Sequence, residues 1–358
     1  MKKIFCVALV LVAAFPLMAR GNRAVEKDRP QPLIIQEQGA FSAGGTVITS
    51  EGTFDPNIPW FTPQGGQTRH GDHADVFYQI PAGANKNALV FLHGYGQSRR
   101  SWETTADGRE GFSNIFLRKG YSVYLVDQPG RGEAGQTTIA GQINATPDDQ
   151  TWFTQFRIGL WPDFNEGVQF PRDEKSLDQF FRMMTPDTAW VPQDATAAAM
   201  SAVFDKSGPG VLLTHSAGGM PGWETAMANG NVKAVVAFEP GGFSFPSGEV
   251  PEGTPGGEDA GIPLDDFLKL TKIPIIVYFG DYIPEAPVPG EAFSITFWRN
   301  VLQTARLWAG VVNKHGGDAT VISLPEIGIT GNTHFIMSDL NNLQIADHLT
   351  GWFAQKGL

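Results

Sequence analysis

The sequence predicts an α/β fold built on a mostly parallel, doubly wound sheet with a cap inserted above it. Three observations carry this expectation. Short runs rich in Val, Ile, Leu and Phe alternate with segments whose apolar residues recur at three and four positions. Several runs, such as Val123-Tyr-Leu-Val126, are continuous in apolar residues, as strands covered on both faces are. The third is a stretch of about sixty residues, 130–190, that breaks the alternation with aromatics and methionines, among them Trp152, Phe153, Phe156, Trp161, Phe164, Phe170, Phe180, Phe181, Met183 and Met184.

At the N-terminus, Lys2 and Lys3 precede an apolar stretch over residues 4–17 and small residues near Ala19 and Gly21. That is the three-part pattern of a cleavable signal peptide over residues 1–20, and it implies a secreted or periplasmic protein. The apolar run is shorter than the ~20 residues a membrane-spanning helix needs, so stable membrane insertion is not expected. The one cysteine, Cys6, lies inside the signal. A mature chain without thiols holds no disulfide and must rely on a large apolar core. Cleavage after Ala19 lowers the basic residues from 26 to 24 against 37 acidic ones, a net charge of −13, which disfavours nucleic acid as a partner. Residues 20–32 read as a polar leader, and 33–358 as one domain interrupted by the cap. A homodimer is compatible with this reading.

The strands are expected at 76–80, 88–92, 123–126, 211–214, 232–238, 275–279 and 320–324. Trp298, Val301, Leu302, Ala305, Trp308 and Val312 form one helical stripe, ended by His315-Gly-Gly317; Ile345, Leu349, Trp352 and Phe353 form another. Residues 241–261, rich in Gly, Pro and acids, read as a mobile surface loop.

The chemistry starts from Val211-Leu-Leu-Thr-His-Ser-Ala-Gly-Gly219, where Ser216 directly follows a buried strand and a helical pattern begins at Met220. This is the strand–Ser–helix turn of a nucleophile elbow, with Thr214 in place of the usual first glycine and Gly218 as the second. A serine hydroxyl needs a base, and the base an acid to fix its tautomer. His334, in Gly331-Asn-Thr-His334 after the last strand, is the candidate base. The other histidines have plainer readings: His348 on an apolar helix face, His315 at a helix C-terminus, His215 pointing away from the nucleophile, and His70 and His73 as surface structure rather than a metal site. Asp281 and Glu239 each follow a strand, and either gives the chain order Ser, acid, His; position alone leaves the two even. Oxyanion donors are expected at the N–H groups of Ala217 and of Tyr95, the latter in Phe91-Leu-His-Gly-Tyr-Gly-Gln-Ser98.

These residues, together with Ser101-Trp-Glu-Thr-Thr-Ala-Asp-Gly-Arg109, Asp127-Gln-Pro-Gly-Arg-Gly132, Glu239-Pro-Gly241 and the 331–347 segment, resemble the α/β-hydrolase superfamily, and within it a branch of secreted bacterial esterases. The resemblance runs from about His70 to the end. It implies that the acid is the glutamate before Pro-Gly, Glu239, with Asp281 as its neighbour and alternative. It implies ester hydrolysis through an acyl-enzyme, without metal or organic cofactor, and the aromatic density of the 130–190 cap suggests a small ester with an apolar acyl or aryl group. The same triad serves lactone, thioester and amide cleavage, and a binding protein can retain the fold without turnover.

Overall fold

A run of five to seven apolar residues hides both faces and pairs its backbone polar groups when it lies inside a covered sheet. The structure, a computed structural model, describes residues 31–141, 143, 148–252, 254 and 260–358. The expected signal peptide lies outside the described residues. Strands β1 (Ile35–Ala43), β2 (Ala74–Pro81), β3 (Ala88–Leu92), β4 (Val123–Asp127), β5 (Gly210–His215), β6 (Val232–Phe238), β7 (Pro274–Phe279) and β8 (Asp318–Ser323) form one sheet in the spatial order β1-β2-β4-β3-β5-β6-β7-β8. β2 is antiparallel to both β1 and β4, and every other neighbouring pair is parallel. The helices are α1 (Phe112–Arg118), α2 (Asp149–Gln155), α3 (Glu174–Arg182), α4 (Gln193–Ser207), α5 (Gly219–Ala228), α6 (Leu264–Leu270), α7 (Phe293–Lys314) and α8 (Asn342–Lys356). Among the described residues, no helix is long and apolar enough to cross a membrane.

Alternation along the strands divides the core in two. Val90, Leu92, Leu212, Val235, Ala237 and Val277 face α4, α5, α6 and α7 in one continuous cluster. Phe91 and Phe238 turn the other way, onto Trp102, Phe112 and Phe116, and Phe116 meets Phe353 of α8. The parallel register aligns the strand ends: Leu92 is opposite Thr214, His215 opposite Phe238, and Phe238 opposite Tyr278. The loops that follow β3, β5, β6 and β7 therefore emerge side by side on one rim.

Three strand elements were absent from the expectation. β1 pairs with β2 along its length, yet Ile35-Gln-Glu-Gln-Gly-Ala-Phe-Ser-Ala43 has only its last residue fully buried, because an edge strand has little to cover. A ribbon of Thr46–Thr49 with Thr68–Gly71 follows, and its strand residues are almost all exposed. The segment between β4 and α4 carries α2, α3 and a two-residue ladder, Gly159–Leu160 with Asp163–Phe164, where no strand was expected. The first part of the 241–261 stretch, residues 242–245, is anchored to the core rather than loose; residues 253 and 255–259 lie outside the described residues. Ser244 and Phe245 are buried, Trp223 Nε1 donates to Gly242 O and Trp308 Nε1 to Ser244 O, because these two core indoles need acceptors.

Candidate active site

Ser216 leaves β5 with φ +52°, the left-handed conformation that turns the chain abruptly into α5. The turn is crowded. A Cβ on Gly94 would lie 2.8 Å from Ser216 Cβ, so only glycine fits beneath the serine. The departure at Thr214 is accommodated on the facing helix, where a Cβ on Gly222 would lie 2.6 Å from Thr214 Cγ2; the missing side chain has moved to the partner element. Gly241 N–H donates to Ser216 O at 3.1 Å and ties the elbow to the loop after β6. Ala217 is second in a helical turn and its N–H has no partner within that turn. Tyr95, one strand over, shares a cavity of 100 Å³ with Ala217, Arg131 and Trp190.

His334 sits beside the elbow. His215, the residue before Ser216, has its ring centroid 4.5 Å from that of His334 and its Nε2 3.0 Å from the His334 carbonyl. Its Nδ1 lies 2.7 Å from Gln97 Oε1, which also accepts from Gly94 N–H. His215 thus braces His334 from below. His334 Nδ1 lies 2.5 Å from Glu239 Oε2, while its Nε2 is buried without a hydrogen-bond partner. Glu239, fully buried, follows β6 with φ +45°. Its Oε1 accepts from Gly280 N–H at 2.6 Å and from the Arg157 guanidinium. Burial pushes the Glu239 carboxyl up, but Arg157 and His334 outweigh it and hold it at about 2. Burial lowers the His334 pKa and Arg157 lowers it further, against the opposing pull of Glu239. The imidazole is therefore neutral near pH 7, the form that accepts a proton.

Asp281 does not touch His334. Its carboxylate accepts from Gly331 N–H at 2.7 Å and Tyr282 N–H at 2.6 Å, fastening the start of the histidine loop to the end of β7. His348 pairs with Tyr278 Oη and His315 with Glu249, both away from this cluster.

Sequence reasoning missed Arg157, Phe156 and Trp298. Phe156 stacks on the imidazole with centroids 4.6 Å apart and an interplanar angle of 13°, and its carbonyl accepts His334 N–H at 3.1 Å. Trp298 covers the ring at 4.3 Å. The one signal for Arg157 is its setting, a lone cation between Phe153, Phe156 and Ile158, where burial would demand an anion.

A second cavity joins Gln97 and Phe335 to Phe170, Phe180, Met183 and Met184, an apolar wall contributed by the 130–190 segment. A larger cavity, 550 Å³, lies elsewhere, between the 280–285 loop and α7, and neither Ser216 nor His334 lines it.

Comparison with known proteins places this architecture. Residues 89–329 match the model of the alpha/beta hydrolase family. The chain is 31% identical to the probable secreted lipase phiG of Fungal sp. (strain ATCC 74256), over 75% of this chain and 82% of that protein. It is also similar to a novel bacterial esterase of known structure, with 30% identity and a TM-score of 0.76 over 93% of this chain and all of that one. The strand order, the elbow after β5 and these matches have one reading: the chain belongs to the alpha/beta hydrolase family.

Proposed function

We propose that this protein is an exported serine esterase that cleaves carboxylic esters through an acyl-enzyme. Ester hydrolysis is supported by the lipase and esterase relatives. The observation that carries the serine mechanism is the Glu239–His334 hydrogen bond, which leaves the second imidazole nitrogen unpartnered beside the Ser216 elbow. His334 Nε2 takes the Ser216 proton as Oγ attacks the ester carbonyl, and the N–H groups of Tyr95 and Ala217 receive the oxyanion. Collapse of the tetrahedral adduct breaks the ester C–O bond, and the alcohol leaves with the proton from His334. Water, deprotonated by the same nitrogen, then attacks the acyl-enzyme and frees the acid. Glu239 holds the imidazole with Nδ1 protonated throughout. The insertion acts as the cap, and its Phe170, Phe180, Met183 and Met184, packed beside Phe335, would have to part to admit an apolar acyl or aryl group, since the cavity they wall holds only about 20 Å³. Export is supported by the residue 1–20 pattern and by the secreted relative.

A fluorophosphonate probe tests the central point. The wild type becomes labelled and loses aryl-ester hydrolysis in proportion, while folded Ser216→Ala takes no label. Labelling of Ser216→Ala equal to wild type would remove Ser216 from the mechanism.

A further inference from the structure

We propose that Arg157 is a positioning residue for the acid–base pair: its guanidinium keeps Glu239 ionised and turned toward His334, and thereby sets the lowest pH at which the histidine works as a base. The inference rests on the Ser216, His334 and Glu239 assignment above.

The geometry is specific. Arg157 is fully buried, one Nη bonds Glu239 Oε1, and Nε donates to Asp281 O at 2.9 Å. Its guanidinium carbon stands 5.2 Å from the centroid of the Trp298 ring, the same ring that covers His334. Trp298 in turn donates from Nε1 to Gln155 O at 2.8 Å. Gln155, Phe156 and Arg157 are consecutive, so one turn of the insertion clamps imidazole, carboxylate and indole together. The backbone of Arg157 is held left-handed, at φ +62°, with its carbonyl accepting from Asn165 Nδ2 at 2.8 Å. The other Nη is buried without a partner. A buried ion pair with an unsatisfied donor is a poor source of stability, since apolar replacements of such pairs are often neutral or better. Its placement against the Glu239 oxygen that does not face His334 is what a role in the proton chemistry requires.

The charged and titratable groups facing the pair come from four segments. Arg157 comes from the insertion and His215 from the end of β5. Asp339, in the loop of His334, is bonded to Thr333 and Asn332, and burial pushes its carboxyl up to about 7 against those bonds. Asp281, after β7, presents its carbonyl while its carboxylate is turned to Gly331 and Tyr282. Arg157 is the permanent cation of this set. The first proton taken up by the Glu239–His334 pair makes the pair one charge more positive, whichever residue holds it. A neighbouring cation opposes that uptake, so removing it moves uptake, and loss of the base, to higher pH.

The test is the pH profile of kcat/KM for an aryl ester, with wild type, Arg157→Met, Arg157→Lys and Asp339→Asn, each checked for folding by melting. The acid limb of Arg157→Met moves up by about one pH unit or more, a size set by a unit charge acting over a few ångströms. Arg157→Lys falls between Arg157→Met and wild type. Asp339→Asn removes a negative charge and moves the limb down or not at all. A residue with only a structural role lowers the plateau and leaves the limb in place. Nuclear magnetic resonance of the His334 ring follows the same ionisation without turnover, and it covers the case in which Arg157→Met does not fold. In wild type the ring titrates below the ordinary histidine value of about 6.5. A folded Arg157→Met with an unmoved limb, or a folded Arg157→Lys whose His334 midpoint equals that of wild type, overturns the proposal. Failure of Ser216 to take the fluorophosphonate label would sink the esterase reading instead, and leaves the ring titration intact as an independent measurement.

Discussion

Replacing Glu239 by glutamine is the sharpest perturbation of this site, because the structure dictates which way the new amide turns. Two donors, the Gly280 N–H and the Arg157 guanidinium, converge on Oε1, and one of them is charged. The amide oxygen of Gln must stay where Oε1 was, since an NH₂ there would face two donors. That leaves the NH₂ at the former Oε2 position, 2.5 Å from His334 Nδ1. A donor there forces Nδ1 to become the acceptor and puts the proton on Nε2, the nitrogen that has to receive the serine proton. The variant therefore holds the wrong tautomer and also loses the anion that stabilises the imidazolium. The corresponding loss in serine proteases is on the order of 10⁴ in turnover, about 5.5 kcal/mol of barrier. In Asp281→Asn, by contrast, one of two backbone N–H bonds keeps its acceptor, and the fall is about tenfold or less. Both variants are assayed at saturating aryl ester, with melting curves to establish folding. A folded Glu239→Gln enzyme with near-normal turnover beside an inactive Asp281→Asn would refute the reasoning and reverse the two acids.

Gly94→Ala drives a methyl group to 2.8 Å from Ser216 Cβ and to 3.0 Å from the His215 carbonyl, so the elbow must shift; kcat falls at least about a hundredfold while the melting temperature changes by only a few degrees. An unchanged kcat would mean that the serine does not depend on this contact. Phe180→Ala opens the apolar wall beside Phe335 and Gln97 and moves the preference among p-nitrophenyl esters toward longer acyl chains. A ranking identical to that of wild type, with only stability lowered, would make that wall a packing layer. Protein recovered from outside the cytoplasm begins near residues 20–22 on N-terminal sequencing, and an intact Met1 there would end the export reading.

The sheet was legible because its strands are covered on both faces and must be apolar throughout: residues 88–92 and 232–238 were bounded correctly from composition alone. β1 was not, because an exposed edge strand places polar residues on most positions and its pairing with β2 leaves no periodic trace. Ser216 stood out through a local pattern. The proposed acid did not, since Glu239 and Asp281 both follow strands, and what separates their surroundings is where loops 41 residues apart in the chain converge, as Gly280 N–H meets Glu239 Oε1. The partner of Arg157 was hidden for the same reason: it lies 82 residues further on, and only the folded chain brings the two together.

Those separations bear on when the protein becomes active. The bonds around the proposed site join residues 82 positions apart for Arg157 and Glu239, 95 for Glu239 and His334, and 119 for His215 and His334. Such long loops are entropically slow to close, so contacts of this kind form late in folding. A chain that crosses a membrane before it folds would carry no assembled base, acid or clamp on the way, and its hydrolytic power would arise only at its destination. Regain of turnover after dilution from denaturant is then a readout of the final docking of the insertion, and it should lag behind recovery of the helical signal of the sheet-covering layers.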